Sequence, residues 1–173
     1  SVQAAAFTAP MWGIHIAPHM RLVATGLSLF MPRIGQGTRL PIGIQNASYV
    51  SLAPFENNML TTDPEMYAMM RDQLAAHPEL SLGGPSFIWL REALSETKHL
   101  ALRAAPSLPC VTFLGSNERI VQINRVHKRM ATWKGGKLQV MEGAEHEILM
   151  EKPQIRDAAI EDITRLFLGN VRK

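Results

Sequence analysis

Two stretches decide the fold: Cys110-Val111-Thr112-Phe113-Leu114-Gly115-Ser116-Asn117-Glu118-Arg119-Ile120-Val121 and Lys137-Leu138-Gln139-Val140-Met141-Glu142-Gly143-Ala144-Glu145-His146-Glu147. Each opens with a short strand-forming run, and each run gives way to a loop built around a glycine. Between them, Val121 to Trp133 reads as a helix with Ile123, Val126 and Met130 on one side, and Gly135-Gly136 turns the chain. After the second stretch, Pro153 starts an amphipathic helix through about Leu168, with Ile155, Ala159, Ile163, Leu166 and Phe167 expected inward. Strand, helix, strand, helix implies an α/β fold with parallel strands and right-handed crossovers.

Working outward, Gly84-Pro85 opens a further helix through about Arg103, with Ile88, Leu90, Ala93, Leu94 and Leu100 as its apolar face. At the other end, Val2 to Phe7 is a short run of small and apolar residues that suits a buried parallel strand. From Gly13 to about Gly84 the texture changes. Prolines 18, 32, 41 and 54 alternate with glycines 26, 35, 37 and 43, which predicts an irregular, partly helical stretch rather than sheet strands. Within it, Asp63-Pro64 is a helix start, with Asp as N-cap and Pro at the first helical position. Met66, Met69, Met70 and Leu74 follow at helical spacing. Ser1-Val2-Gln3 lacks an initiator Met, a basic n-region and a long apolar h-region, so it reads as the middle of a protein rather than a signal peptide.

The 173 residues suffice for one ordinary core, and 46% hydrophobic against 19% charged residues describes a globular chain rather than a disordered one. The net charge of +3 comes from scattered basic residues, so nucleic acid is not an expected partner. It leaves room for peripheral contact with an anionic membrane surface, and no run is long enough to span a bilayer. The single cysteine, Cys110, excludes an internal disulfide and fits a reducing, cytoplasmic setting.

The two loops after the strands carry the chemistry. Ligands of open α/β sheets bind beyond the carboxyl ends of the strands. A carboxylate in the first loop and an imidazole in the second can therefore meet there, the carboxylate fixing the tautomer of the ring and stabilising its protonated form. Glu118 is the candidate orienter and His146 the candidate general base. Taken singly, Glu118 beside Arg119 is an ordinary solvated pair and His146 an ordinary loop histidine; their position and order together make the case. Met11 and Trp12, which leave the first strand at the same edge, are candidate substrate-binding residues. His15 and His19 form His-x-x-x-His around Pro18, but no third ligand accompanies them, so no metal site is expected.

Gly115-Ser-x-acid-Arg-Ile-Val and Gly143-Ala-x-His-Glu resemble the last two triad segments of the α/β-hydrolases, whose chain order is Ser, then acid, then His. Phe7-Thr8-Ala9-Pro10-Met11-Trp12-Gly13, Leu60-Thr61-Thr62-Asp63-Pro64 and Gly83-Gly84-Pro85-Ser86-Phe87-Ile88-Trp89-Leu90 are similar to the lysophospholipase L2 and monoacylglycerol-lipase group. The resemblance covers essentially the whole chain. It implies the C-terminal part of an α/β-hydrolase. Residues 1–13 would be a core strand and its catalytic-edge loop, residues 14–83 a mostly helical cap insertion, and residues 84–173 the last part of the core. It also implies a carboxylic-ester hydrolase acting on a small-molecule ester or lipid, with no metal or organic cofactor. Two features depart from the family pattern. Most relatives carry Asp at the position of Glu118, and no Gly-x-Ser-x-Gly nucleophile elbow occurs here. The nucleophile and the N-terminal half of the fold would precede Ser1, and these residues alone are expected to be inactive. Two rivals stay open: another hydrolase of the same fold (peptidase, epoxide hydrolase or dehalogenase) and a non-catalytic binding protein on the same scaffold.

Overall fold

A computed structural model describes residues 2–170; Ser1 and residues 171–173, which end the first and last of the expected segments, lie outside the described residues. Three parallel strands, β1 (Ala5–Thr8), β2 (Cys110–Gly115) and β3 (Gly136–Met141), form a sheet in the order β1-β2-β3. Ala5 pairs with Cys110, and Cys110 with Gly136, so the carboxyl ends of the strands lie side by side.

Helix α5 (Ile123–Ala131) joins β2 to β3, and α6 (Pro153–Gly169) follows β3. The period-two alternation of β2 divides its side chains between two layers. Cys110 and Leu114 pack with Val126, Met130 and Trp133 on the α5 side. Val111 and Phe113 pack with Ala144, Ile148 and Ala159 on the α6 side. Every residue of β2 is buried, whereas β1 is only half-buried and pairs with β2 alone among the described residues. On α6, Ile155, Ala159, Ile163 and Leu166 face the core as expected, but Phe167 points outward and is 44% exposed.

The excursion between β1 and β2 is mostly helical: α1 (Pro18–Arg33), α2 (Tyr49–Leu52), α3 (Pro64–Ala76) and α4 (Phe87–Leu102). Helix α1 runs unbroken where the sequence suggests irregular pieces. Pro18 occupies a first-turn position, where its missing N–H costs nothing, and Pro32 falls in the last turn. Helix α3 starts as its sequence dictates, with the Asp63 carboxylate accepting from the Glu65 and Met66 amides at 2.9 and 3.2 Å. Helix α4 is capped by Ser86, packs against α1 and buries Phe87, Ala93 and Thr97; Ile88, an expected core residue, is 37% exposed.

The molecule exposes 10962 Å². A compact monomer of 19.2 kDa would expose only about 8,400 Å², leaving an excess of about 2,500 Å². Part of it is apolar: Val23, Leu27, Phe30 and Ile34 form an exposed stripe along and just beyond α1. Among the described residues no helix is long and apolar enough to cross a membrane.

Candidate active site

The loops after β2 and β3 are fastened to each other by their own backbone and hydroxyl groups. The Ser116 and Asn117 amides donate to the Met141 and Ala144 carbonyls, both at 3.0 Å. The Gly143 amide donates to Ser116 Oγ at 2.8 Å. Gly143 supplies the turn with φ +75°, in the left-handed region that favours glycine. Gly115 is required for a different reason. A Cβ there would lie 2.3 Å from the Glu145 carbonyl oxygen and 2.4 Å from that of Ala144, so a side chain would force the loops apart.

This arrangement brings Glu118 and His146 together. Glu118 Oε2 accepts from His146 Nδ1 at 2.7 Å. The other carboxylate oxygen accepts from the Ile120 and Val121 amides at 2.5 and 3.0 Å, which holds the side chain in one orientation. The Glu118 side chain is fully buried, and that of His146 is 19% exposed. Burial pushes the Glu118 carboxyl up, but the hydrogen bond from His146, the two amides and the imidazole charge outweigh it, leaving its pKa below the ordinary value. Burial pushes the His146 imidazole down. The hydrogen bond and charge of Glu118, with a contribution from the Glu147 charge, outweigh this and raise its pKa above 6.5. With Nδ1–H given to Glu118, Nε2 is left as the acceptor of the neutral ring, and it has no partner among the described residues. The pair can take up a proton at Nε2 and stabilise the resulting imidazolium.

Other candidates fare differently. The Trp12 ring turns into the core, 5.4 Å from Phe7 and stacked 6.1 Å from Trp133, centroid to centroid. The ring is partly buried against the α5 layer, a packing contact that its large apolar area favours. Met11 remains at the carboxyl edge and is 43% exposed. A cavity of about 510 Å³ opens beside Glu118, walled by His15, Ile16, Arg21, Arg119, Gln122 and Ile123, and includes neither Met11 nor Trp12. It lies on the acid's side of the pair rather than over His146. His15 lies in the extended segment before α1 and His19 in its first turn, so the two do not share a helix face.

Sequence reasoning passed over Glu151 and Asn58. Glu151 is completely buried, yet its only local signal is its place two residues before the Pro153 helix start. Asn58 is also buried, and its amide ties a turn by accepting from the Leu60 and Thr61 amides at 2.8 and 2.9 Å.

Comparison with known proteins accords with this geometry. Residues 1–153 match the model of the family described as serine aminopeptidase, S33. The chain is 31% identical over 175 residues to lysophospholipase L2 of Escherichia coli K12, covering 95% of itself and 50% of that protein. It is 26% identical to the probable lysophospholipase L2 of Haemophilus influenzae, covering 96% of itself and 52% of the relative. It thus spans about half the length of the curated relatives it matches. Among solved structures, a soluble variant of monoglyceride lipase from Saccharomyces cerevisiae, in complex with a substrate analogue, superposes with a TM-score of 0.67 at 17% identity. That match covers 96% of this chain and 55% of the yeast one. Monoacylglycerol lipase of Paleococcus ferrophilus gives the same TM-score at 14% identity, covering 95% and 58%. The parallel sheet with its paired acid and histidine loops is that of an α/β-hydrolase, and the chain belongs to the serine aminopeptidase S33 family.

Proposed function

We propose that this chain supplies the acid and the base of a Ser-Glu-His triad in a carboxylic-ester hydrolase acting on lysophospholipid- or monoacylglycerol-like substrates. The single observation that carries the reading is the 2.7 Å contact between buried Glu118 and His146 at the carboxyl ends of adjacent parallel strands. His146 takes the proton of an attacking serine at Nε2 and returns it to the leaving alkoxide, while Glu118 orients the ring and stabilises its charge. Water then releases the acyl group by the same route, and no metal or organic cofactor takes part. The serine belongs to an N-terminal half that lies outside this sequence. That half would cover the free edge of β1 and account for the excess exposed surface of about 2,500 Å², an amount typical of an extensive permanent interface. The excursion of residues 14–83 acts as a cap over the site. The exposed stripe of α1, with Arg21 and Arg33 at its ends and no acidic residue in the helix, suits peripheral contact with an anionic lipid surface. Such contact would take place on the cytoplasmic side.

The test is hydrolysis of monoacylglycerol, lysophospholipid and short p-nitrophenyl esters by the full-length polypeptide, with and without a chelator. Turnover that is indifferent to the chelator and to His15→Ala, and lost in His146→Ala, is expected. Turnover abolished by the chelator would exclude the proposal.

A further inference from the structure

The excursion returns to the active-site edge at residues 58–63, where a buried carboxylate receives it. Glu151 is 0% exposed, and no cation pairs with it among the described residues. Its oxygens instead collect donors from two directions. The Thr62 amide donates to both oxygens at 3.2 and 3.1 Å, and the Thr62 hydroxyl donates to Oε2 at 2.5 Å. The Glu145 amide donates to Oε1 at 2.7 Å. Thr62 stands 89 residues away in sequence, so Glu151 joins two parts of the chain that are distant in sequence.

The histidine loop is tied to the same segment on either side of the imidazole. The His146 amide donates to the Met59 carbonyl at 3.2 Å, and the Glu147 amide to the Leu60 carbonyl at 2.7 Å. The Thr61 hydroxyl donates to the Met150 carbonyl at 2.6 Å. Arg119, the neighbour of Glu118, donates through Nη2 to the Asn58 carbonyl at 2.9 Å and to Glu145 Oε1 at 3.0 Å. The acid loop, the histidine loop and the excursion therefore meet in one hydrogen-bonded body, with Glu151 as its buried centre. An apolar side chain in its place would leave the Thr62 and Glu145 donors buried without acceptors.

We propose that Glu151 is a positioning residue for His146: its carboxylate clasps Thr62 to the Glu145 amide, so that the 58–63 segment and the histidine loop move as one body. The role rests on the reading of His146 as the general base, but the clasp itself is testable without turnover. Displacing the excursion displaces the imidazole from Glu118, and fixing the one fixes the other.

The experiment uses the full-length polypeptide with ¹³C-labelled histidine, in wild-type, Glu151→Gln and Thr62→Val forms. The Gln amide nitrogen places a donor where an acceptor is needed, whereas Val removes only the hydroxyl bond. In Glu151→Gln the His146 titration is expected to fall back toward 6.5, and amide exchange at residues 59–62 and 145–147 to rise together. On ester substrates kcat is expected to drop at least about 10-fold with KM little changed, as for a base displaced by a fraction of an ångström. Thr62→Val shifts the same readouts in the same direction by less. A Glu151→Gln protein that melts earlier but keeps the wild-type His146 titration and the wild-type exchange at 145–147 overturns the proposal. If Glu151→Gln does not fold, an unchanged His146 titration in Thr62→Val overturns it equally. A polypeptide that hydrolyses no ester yet shows the coupled shifts refutes the hydrolase reading and supports the clasp.

Discussion

Shortening Glu118 by one methylene tests whether the site is built around Glu, where most relatives are expected to carry Asp. Glu118 holds two sets of partners at once, His146 at 2.7 Å and the Ile120 and Val121 amides at 2.5 and 3.0 Å. Asp is the natural acceptor for amides two and three residues ahead, so Glu118→Asp should keep the turn and lose the imidazole. The carboxylate would withdraw by about 1.5 Å, the length of one carbon–carbon bond. Lengthening the pair from 2.7 Å to about 4.2 Å at an effective dielectric of about 20 removes about 2 kcal/mol of attraction between carboxylate and imidazolium. If that attraction is felt in the transition state, kcat/KM falls about 30-fold. The assay is the initial rate of p-nitrophenyl ester hydrolysis by the full-length polypeptide, with folding checked by circular dichroism. Wild-type activity in Glu118→Asp would show that the loop tolerates either acid and that this contact does not limit the reaction.

His146→Ala should lower kcat by at least about 1,000-fold with KM little changed, because triad members act as a unit; steady-state kinetics on monoacylglycerol would show it. The pair should also be visible in the pH dependence of stability. Glu118, with its pKa lowered from 4.5, contributes stability that is fully present above 4.5 and lost as pH falls through the folded-state value. His146, with its pKa raised from 6.5, contributes stability that is fully present below 6.5 and lost as pH rises through the folded-state value. The difference in urea midpoint between wild type and His146→Ala should therefore be largest between 4.5 and 6.5 and shrink on both sides. Gly115→Ala should cost about 1–3 kcal/mol in urea unfolding, because its Cβ would collide with the Ala144 and Glu145 carbonyls.

The core of the fold was legible where local signals agreed. Cys110–Gly115 is apolar except for Thr112 and ends in glycine, and it is the fully buried middle strand of the described sheet. Asp63-Pro64 carries both a cap and a first-turn proline, and its helix begins there. Glu118 and His146 could be paired in advance because consecutive parallel strands deliver their loops to one edge. Helix α1 was obscured because Pro18, Gly26 and Pro32 all punctuate the sequence, although Pro18 falls in the first turn, Pro32 comes only one residue before the helix ends and Gly26 faces open space. The packing of Trp12 on Phe7 and Trp133 was not legible, because such contacts are set by tertiary structure and not by a local pattern. The Glu151 clasp joins residues 89 positions apart through backbone amides, and no local pattern announces such a bond.

Whether Glu118 and His146 activate a serine is tested by covalent labelling of the full-length polypeptide with a fluorophosphonate, which reacts with a serine activated by a neighbouring base, followed by peptide mapping. One labelled serine is expected, N-terminal to residue 1 of this sequence, with labelling lost in a folded His146→Ala variant and weakened in Glu118→Asp. Absence of label in the wild type, label on a serine between residues 1 and 173, or label undiminished in His146→Ala would contradict that expectation.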